Sequence, residues 1–171
     1  MKPNRFMLAL AALCFASGGA SAQQTDGKSV APKTYKAYMV SDAHLDTQWN
    51  WDVQTTIREY IPRTLFQNLY LMERFPDYRF SFEGGVVYSW MKEYYPMHYE
   101  RMKTYIASGQ WHIAGASWDA NDPNMPSAES FFRNILLGQE FYKKEFGVRS
   151  TDIFLPDCCL LYTSPSPRDG A

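Results

Sequence analysis

The sequence has little thiol and almost no charge imbalance. Three cysteines in 171 residues are too few for a disulfide framework. With 17 basic and 18 acidic side chains the formal net charge is −1. The positive surplus that grips a phosphate backbone is therefore missing, which excludes nucleic acid as a partner. Only 20% of the residues are charged while 46% are hydrophobic, which excludes a disordered polymer or a charged tail. Internal repeats are absent as well. Aromatic side chains are plentiful, with 5 Trp, 12 Tyr and 11 Phe.

The apolar run from Phe6 to Ala16 stops well short of the roughly 20 residues needed to span a bilayer. Lys2 and Arg5 lie at its start, and Ala20, Ser21 and Ala22 form a small-residue cleavage motif ahead of Gln23. Residues 1–22 thus read as a secretory signal peptide, and the protein as exported, periplasmic or extracellular. A lipoprotein anchor on Cys14 is disfavoured, because Leu13 is not the small residue such cleavage needs. Removal of the signal leaves a mildly acidic protein with no membrane attachment. Residues 23–34, rich in Gln, Ser, Gly, Lys and Pro, read as a flexible leader.

From Tyr35 onward short apolar runs alternate with helix-period segments, the pattern of β-α-β units and a parallel sheet. Strands are expected at Tyr35 to Ser41, Tyr78 to Phe82, Trp111 to Ala116 and Thr151 to Leu155. Helices are expected at Gln54 to Phe75, ended by Pro76 and Asp77, and at Val86 to Ser108, which Pro96 should kink or split. A third helix runs from Ser127 to Phe146, with Pro126 before it, Glu129 in its first turn and Gly147 after it. Gly109 should stop the second helix. Four strands with three intervening helices make an α/β layer.

In parallel α/β proteins chemistry collects at the carboxyl ends of the strands. After the first strand stand Asp42, His44 and Asp46, which extended backbone would place on one face. An imidazole and a carboxylate two residues apart can bind one metal ion. After the second come Glu83, Gly84 and Gly85; after the third, Trp118, Asp119, Asn121 and Asp122; after the fourth, Asp157. Each has a plainer reading. Glu83 and Asp157 can cap turns or helices, and Asp119 and Asp122 suit an Asn- and Pro-rich loop for turn reasons alone. Trp49 and Trp51 can be core or lid residues. His98 reads as a packed or surface residue and His112 as structural. The coincidence matters more: acidic or metal-capable groups follow all four expected strands, on one edge.

These residues resemble the family 38 glycoside hydrolases, the retaining α-mannosidases. His44-x-Asp46-x-x-Trp49 stands where that family has His-x-Asp-x-x-Trp, with Asp42 in a place where many members carry a further histidine. Trp118, Asp122, Pro126, Ser127, Glu129, Ser130 and Arg133 resemble the segment around the family's nucleophile, which falls on Asp122. Glu83-Gly84, Trp90-x-Lys92-Glu93 and the run Ile153 to Asp157 look like bacterial members. The similarity covers about Tyr35 to Asp157.

The resemblance implies Zn2+, or another divalent ion, held by His44, Asp46 and Asp122, with the vicinal hydroxyls of a mannose bound to it. It implies Asp122 as the nucleophile, and Trp49, Glu83, Arg133 and Asp157 as substrate-binding groups. The substrate class is a mannose-containing oligosaccharide or glycan. The fold implied is the first half of a (β/α)7-type barrel over residues 35–158, with the general acid and a fourth metal ligand, a histidine, outside this chain. Residues 159–171 resemble translated sequencing-adapter sequence and are set aside as an artefactual tail. Four strands supply roughly half a barrel, so the chain by itself is expected to be an inactive fragment. Two other readings are a carbohydrate deacetylase-like hydrolase, with metal on His44 and Asp46 and water as nucleophile, and a non-catalytic glycan-binding protein using Trp49, Trp51 and Trp118.

Overall fold

A computed structural model describes residues 35–123 and 125–156. The expected signal peptide, leader and tail, together with Asp157, lie outside the described residues. The chain runs β1 (Ser41–Ala43), α1 (Val53–Thr55), a π-helical turn (Thr56–Tyr60), α2 (Ile61–Arg74), β2 (Phe80–Phe82), α3 (Gly85–Tyr94), α4 (Pro96–Ser108), β3 (Trp111–Ile113) and α5 (Ala128–Phe146). The strands form one parallel sheet in the order β1, β2, β3, with Ser41 opposite Phe80 and Phe80 opposite Trp111. This is the expected α/β class, with three strands among the described residues in place of four. Among the described residues no helix is long and apolar enough to cross a membrane.

The first strand is later and shorter than the apolar run Tyr35 to Ser41 predicts. Pairing begins where Ser41 N–H donates to Arg79 C=O at 3.1 Å. Upstream of Arg79 the partner chain segment is the turn at Pro76 and Asp77, so Tyr38, Met39 and Val40 have no ladder to join and stay exposed. β-forming side chains do not make a strand without a partner.

The expected fourth strand is also absent among the described residues. Gly115 N–H, which a neighbouring strand would use, donates instead to Asp152 Oδ2 at 3.0 Å. Ser150 Oγ holds the other oxygen of that carboxylate at 2.6 Å. The segment does pass beside β3, for Phe154 borders Gly115, but a side chain has taken the place of the backbone ladder.

The first helical segment departs from a plain helix at Pro62. Ile61 N–H reaches back to Thr56 C=O, a π-type bond, and Pro62 has no N–H for the next one. A proline ring also crowds the preceding turn, which widening relieves. Ile57 C=O is left without a helical donor and accepts from Tyr95 O–H at 2.7 Å. Pro96 splits the second helix as expected, giving α3 and α4.

The core lies between the sheet and α2 to α5. Ile61, Leu65, Leu69 and Met72 line one side of α2 and are buried, as their spacing predicts. Trp111 is buried and T-stacked on Phe80 at 4.8 Å. Its indole N–H donates to Tyr88 O–H at 2.8 Å, and that hydroxyl donates to Phe82 C=O at 3.0 Å. Each polar tip in the aromatic core thus has a partner, and burial is not opposed by an unmet donor.

Candidate active site

The carboxyl ends of the three strands share one edge of the sheet. Ladder pairing of β1 ends at Ala43, and of the expected trio Asp42, His44 and Asp46 the structure brings two together. Asp42 instead borders a hollow of about 230 Å³ shared with Arg63, Gln67 and Tyr78. His44 and Asp46 are brought together, with Nε2 of the imidazole 3.3 Å from Asp46 Oδ1. The His44 side chain is 25% exposed and that of Asp46 39%.

The other imidazole nitrogen, Nδ1, lies 3.5 Å from Oε1 of Glu83, which immediately follows β2. Glu83 is only 6% exposed, and no hydroxyl, amide or backbone N–H donates to either carboxylate oxygen among the described residues. Loss of water around the carboxyl pushes its pKa up to about 7, with Asp119 adding to the rise and His44 holding it back. Glu83 therefore sits behind His44 in the fold, away from solvent.

Beyond β3 the chain turns at Gly115, with φ of 66°, and residues 116–122 run over α3 and α5. Gly85 N–H donates to Ser117 C=O at 3.2 Å and Val86 N–H to Trp118 C=O at 2.8 Å, so the start of α3 receives the loop. Trp118 N–H donates to Asn134 C=O at 2.9 Å, and Tyr142 O–H to Ser117 C=O at 3.0 Å. The Asn134 side chain accepts from Asp119 N–H at 2.9 Å and donates to Asp119 C=O at 2.8 Å and to Asn121 Oδ1 at 2.6 Å. A further bond ties this loop to the one after β1: Thr47 Oγ1 donates to Asp119 Oδ2 at 3.3 Å.

Asp122 lies at the end of this clamped loop and is half-buried. Trp49 is 71% exposed near the β1 end. Arg133 is on the outer face of α5, paired with Glu129 at 2.7 Å in an exposed i,i+4 contact, and is not brought to His44 and Asp46. Trp51 donates its indole N–H to buried Thr56 Oγ1 at 2.8 Å, and is an anchor of the β1 loop. His112 lies 3.5 Å from Asp152, and His98 lies tilted against Phe66 with ring centres 4.2 Å apart. A hollow of about 450 Å³ lined by Leu136, Gln139, Glu140, Lys143, Lys144 and Arg149 contains none of the strand-end residues.

The metal expectation can be tested on the His44–Asp46 contact. Two ligand atoms, each about 2.0–2.2 Å from a tetrahedral ion, stand roughly 3.4 Å apart. The observed 3.3 Å is that edge, so the pair fits a shared cation. Among the described residues no three imidazole, carboxylate or thiolate groups converge, so Asp122 is not gathered into a three-ligand cluster with them.

Thr47 and Asn134 were not legible as site residues. Asn134 did carry a signal, since it lies three residues after Phe131 and four before Gly138, a polar group on the inward stripe of α5.

The profile of the Glycosyl hydrolases family 38 N-terminal domain matches residues 34–159. Alpha-mannosidase G of Dictyostelium discoideum is 38% identical over 122 residues, 71% of this chain and 11% of that protein. Alpha-mannosidase 2C1 of Homo sapiens is 32% identical over 158 residues, 91% of this chain and 14% of its own length. The alpha-mannosidase of Saccharomyces cerevisiae is 33% identical over 132 residues, covering 77% of this chain and 12% of the yeast protein. The chain thus spans between 11% and 14% of these relatives. The match over residues 34–159 takes in every described strand and helix, and the chain belongs to glycosyl hydrolase family 38, within its N-terminal domain.

Proposed function

We propose that this chain carries the sugar-binding and nucleophile-bearing part of an α-mannosidase, as the first half of a (β/α)7-type barrel. The reading rests chiefly on the His44–Asp46 contact of 3.3 Å, on the same sheet edge as the loop that ends at Asp122. Relatives that are α-mannosidases support it. His44 and Asp46 would hold Zn2+ or another divalent ion, and the family resemblance adds Asp122 as a third ligand. When bound, the ion supplies a Lewis-acid grip on vicinal mannose hydroxyls and keeps a neighbouring carboxylate ionised.

The chain's own chemistry is carried by Asp122. Its carboxylate oxygen attacks the anomeric carbon of a mannoside while the bond to the leaving oxygen breaks, giving a glycosyl ester that water later cleaves with retention. Protonation of the leaving oxygen requires a second carboxylic acid, about 5–5.5 Å from the nucleophile in retaining enzymes. The family resemblance puts that acid outside this chain. Trp49 offers an open ring face to the sugar, and Arg133 and Asp157 are assigned to more distant substrate contacts. Thr47 and Asn134 fix the loop that presents Asp122.

The N-terminal pattern of Lys2, Arg5, Phe6 to Ala16 and Ala20 to Ala22 supports export to the periplasm or beyond. The short share of the relatives' length supports the proposal that this chain alone is inactive, a segment of a longer enzyme.

Trapping tests the reading. The longer enzyme, treated with an activated fluoromannoside, digested and analysed by mass spectrometry, should carry the sugar on the Asp122 peptide, and Asp122→Asn should carry none. Hydrolysis without any covalent adduct on that peptide would sink the nucleophile assignment. The 171-residue chain should not hydrolyse a 4-nitrophenyl α-mannoside faster than its Asp122→Asn variant.

A further inference from the structure

We propose that Glu83 is the positioning residue of His44, accepting the Nδ1 proton so that the Nε2 lone pair faces Asp46. This rests on the metal-binding reading of His44 and Asp46 given above. The imidazole stands between two carboxylates of opposite character. Asp46, with 39% of its side chain exposed, is hydrated, whereas Glu83, at 6%, is not. Among the described residues no hydroxyl, amide or backbone N–H donates to either Glu83 oxygen, and the polar atom that faces Oε1 is Nδ1 of His44 at 3.5 Å.

A neutral imidazole has one N–H to give, and the buried carboxylate, with no water to replace it, is the acceptor that gains more. Placing the proton on Nδ1 leaves Nε2 unprotonated, 3.3 Å from Asp46 Oδ1. Two lone-pair-bearing atoms at that distance repel unless a cation stands between them. The buried contact thus prepares the exposed pair for a cation, the carboxylate–histidine–metal arrangement in which the outer carboxylate sets tautomer and ring angle. Backbone holds Glu83 in place: Gly84, at φ of 91°, turns the chain directly into α3, and a side chain at Gly115 would approach Glu83 Oε2 to 3.8 Å. Glu83 is accordingly a group behind the site rather than one that touches sugar.

The test is the tautomer of His44, read by long-range 1H–15N correlation on the 15N-labelled full chain at pH 8. The chain has three histidines, so the signals separate, and His98 and His112 report an intact fold. The wild type should show a protonated Nδ1 and a bare Nε2, and added Zn2+ should move the Nε2 signal alone. Glu83→Gln, whose amide oxygen still accepts, should keep this tautomer. Glu83→Leu should move the proton to Nε2 and weaken Zn2+ binding about 10- to 100-fold. An Nε2-protonated wild type, or a Leu variant with unchanged tautomer, overturns the proposal. So does a Gln variant that loses Zn2+ as fully as Leu, since Glu83 would then be a ligand itself. If Glu83→Leu fails to fold, the wild-type and Gln tautomers decide. A wild type with the Nδ1 tautomer and no Zn2+ affinity supports the Glu83–His44 bond and refutes the metal reading instead.

Discussion

One added methyl group at Gly138 separates helix propensity from packing. Gly138 lies inside α5, where Gly→Ala ordinarily stabilises by about 0.5–1 kcal/mol. Here a Cβ would collide with Ala116 C=O oxygen and Ser117 carbonyl carbon, and would lie 2.6 Å from Trp118 N. All three are backbone atoms, so no rotamer change relieves the overlap. The loop is held to the same helix by Trp118 N–H to Asn134 C=O at 2.9 Å and by Tyr142 O–H to Ser117 C=O at 3.0 Å. Making room lifts α5 and stretches at least one of these bonds. Overpacking costs about 1–3 kcal/mol, and a lost buried hydrogen bond about 1–3 kcal/mol more. Against the helix gain, Gly138→Ala should lose about 2–4 kcal/mol, a shift of roughly 1–2 M in urea midpoint read by tryptophan fluorescence. Gly147→Ala is the control: nothing lies within 4 Å of its Cβ, and only its φ of 69° opposes the change, so it should lose about 1 kcal/mol. A Gly138→Ala protein as stable as wild type would mean that α5 is not seated on this loop, and the account of how Asp122 is presented would fall with it.

Other consequences are as direct. Tyr95→Phe strips the donor from Ile57 C=O and should cost about 1–2 kcal/mol in urea unfolding; combined with Pro62→Ala, which restores an N–H to that turn, it should cost less, and strict additivity would count against the π-turn account. Asn134→Ala removes three bonds to the loop after β3 and should destabilise by about 2–4 kcal/mol, with faster amide exchange at Asp119 as its local mark. Burial raises Glu83 from its ordinary 4.5 to about 7, so the folded metal-free chain binds a proton that the unfolded chain has released. This contribution to stability is whole below pH about 4.5 and is lost as pH climbs to about 7, a fall of order 3 kcal/mol. Glu83→Gln should flatten that part of the profile between pH 5 and 8, and parallel profiles for the two proteins would refute it.

The helix ends were legible because their chemistry is local. Ser127 caps α5 by accepting from Ser130 N–H at 3.2 Å, and Gly109 and Gly147 take left-handed φ of 78° and 69° where a stop was expected. Pro96 splits a helix where expected, whereas Pro62 sits inside an unbroken helical period, and the carbonyl it leaves open, that of Ile57, is met by Tyr95, 38 positions further along. The strands were less legible for the same kind of reason. Whether Tyr38 to Val40 pair depends on where the turn before β2 ends, and whether Thr151 to Leu155 pair depends on Asp152 claiming Gly115 N–H. In the site, the spacing of His44 and Asp46 pointed to a shared ion because two residues suffice to state that geometry. Glu83 stands out in the sequence beside its two glycines, but its place behind His44 follows from burial, which only packing decides.

Each strand of this sheet is three residues long, so the ladder ends before the chemistry begins. His44 and Asp46 lie one and three positions past β1, and Asp122 nine past β3. Their placement therefore passes through side chains: Thr47 to Asp119, Asn134 to Asp119 and Asn121, Asp152 to Gly115, Glu83 to His44. A ladder shares strain over many equivalent backbone bonds, whereas each of these links has one donor and one acceptor. Removing a single polar group that touches neither sugar nor metal should therefore displace the site more than removing an equal volume from the aromatic core. Tyr88→Phe deletes a core hydroxyl yet leaves His44 where it is, while Thr47→Val, nearly isosteric, frees the β1 loop from the β3 loop. In the longer enzyme, Thr47→Val should slow labelling of Asp122 by the fluoromannoside several-fold with little change in melting temperature, and Tyr88→Phe should lower the melting temperature with labelling unchanged. The reverse pattern would show that the sheet, and not the side-chain bridges, fixes the site.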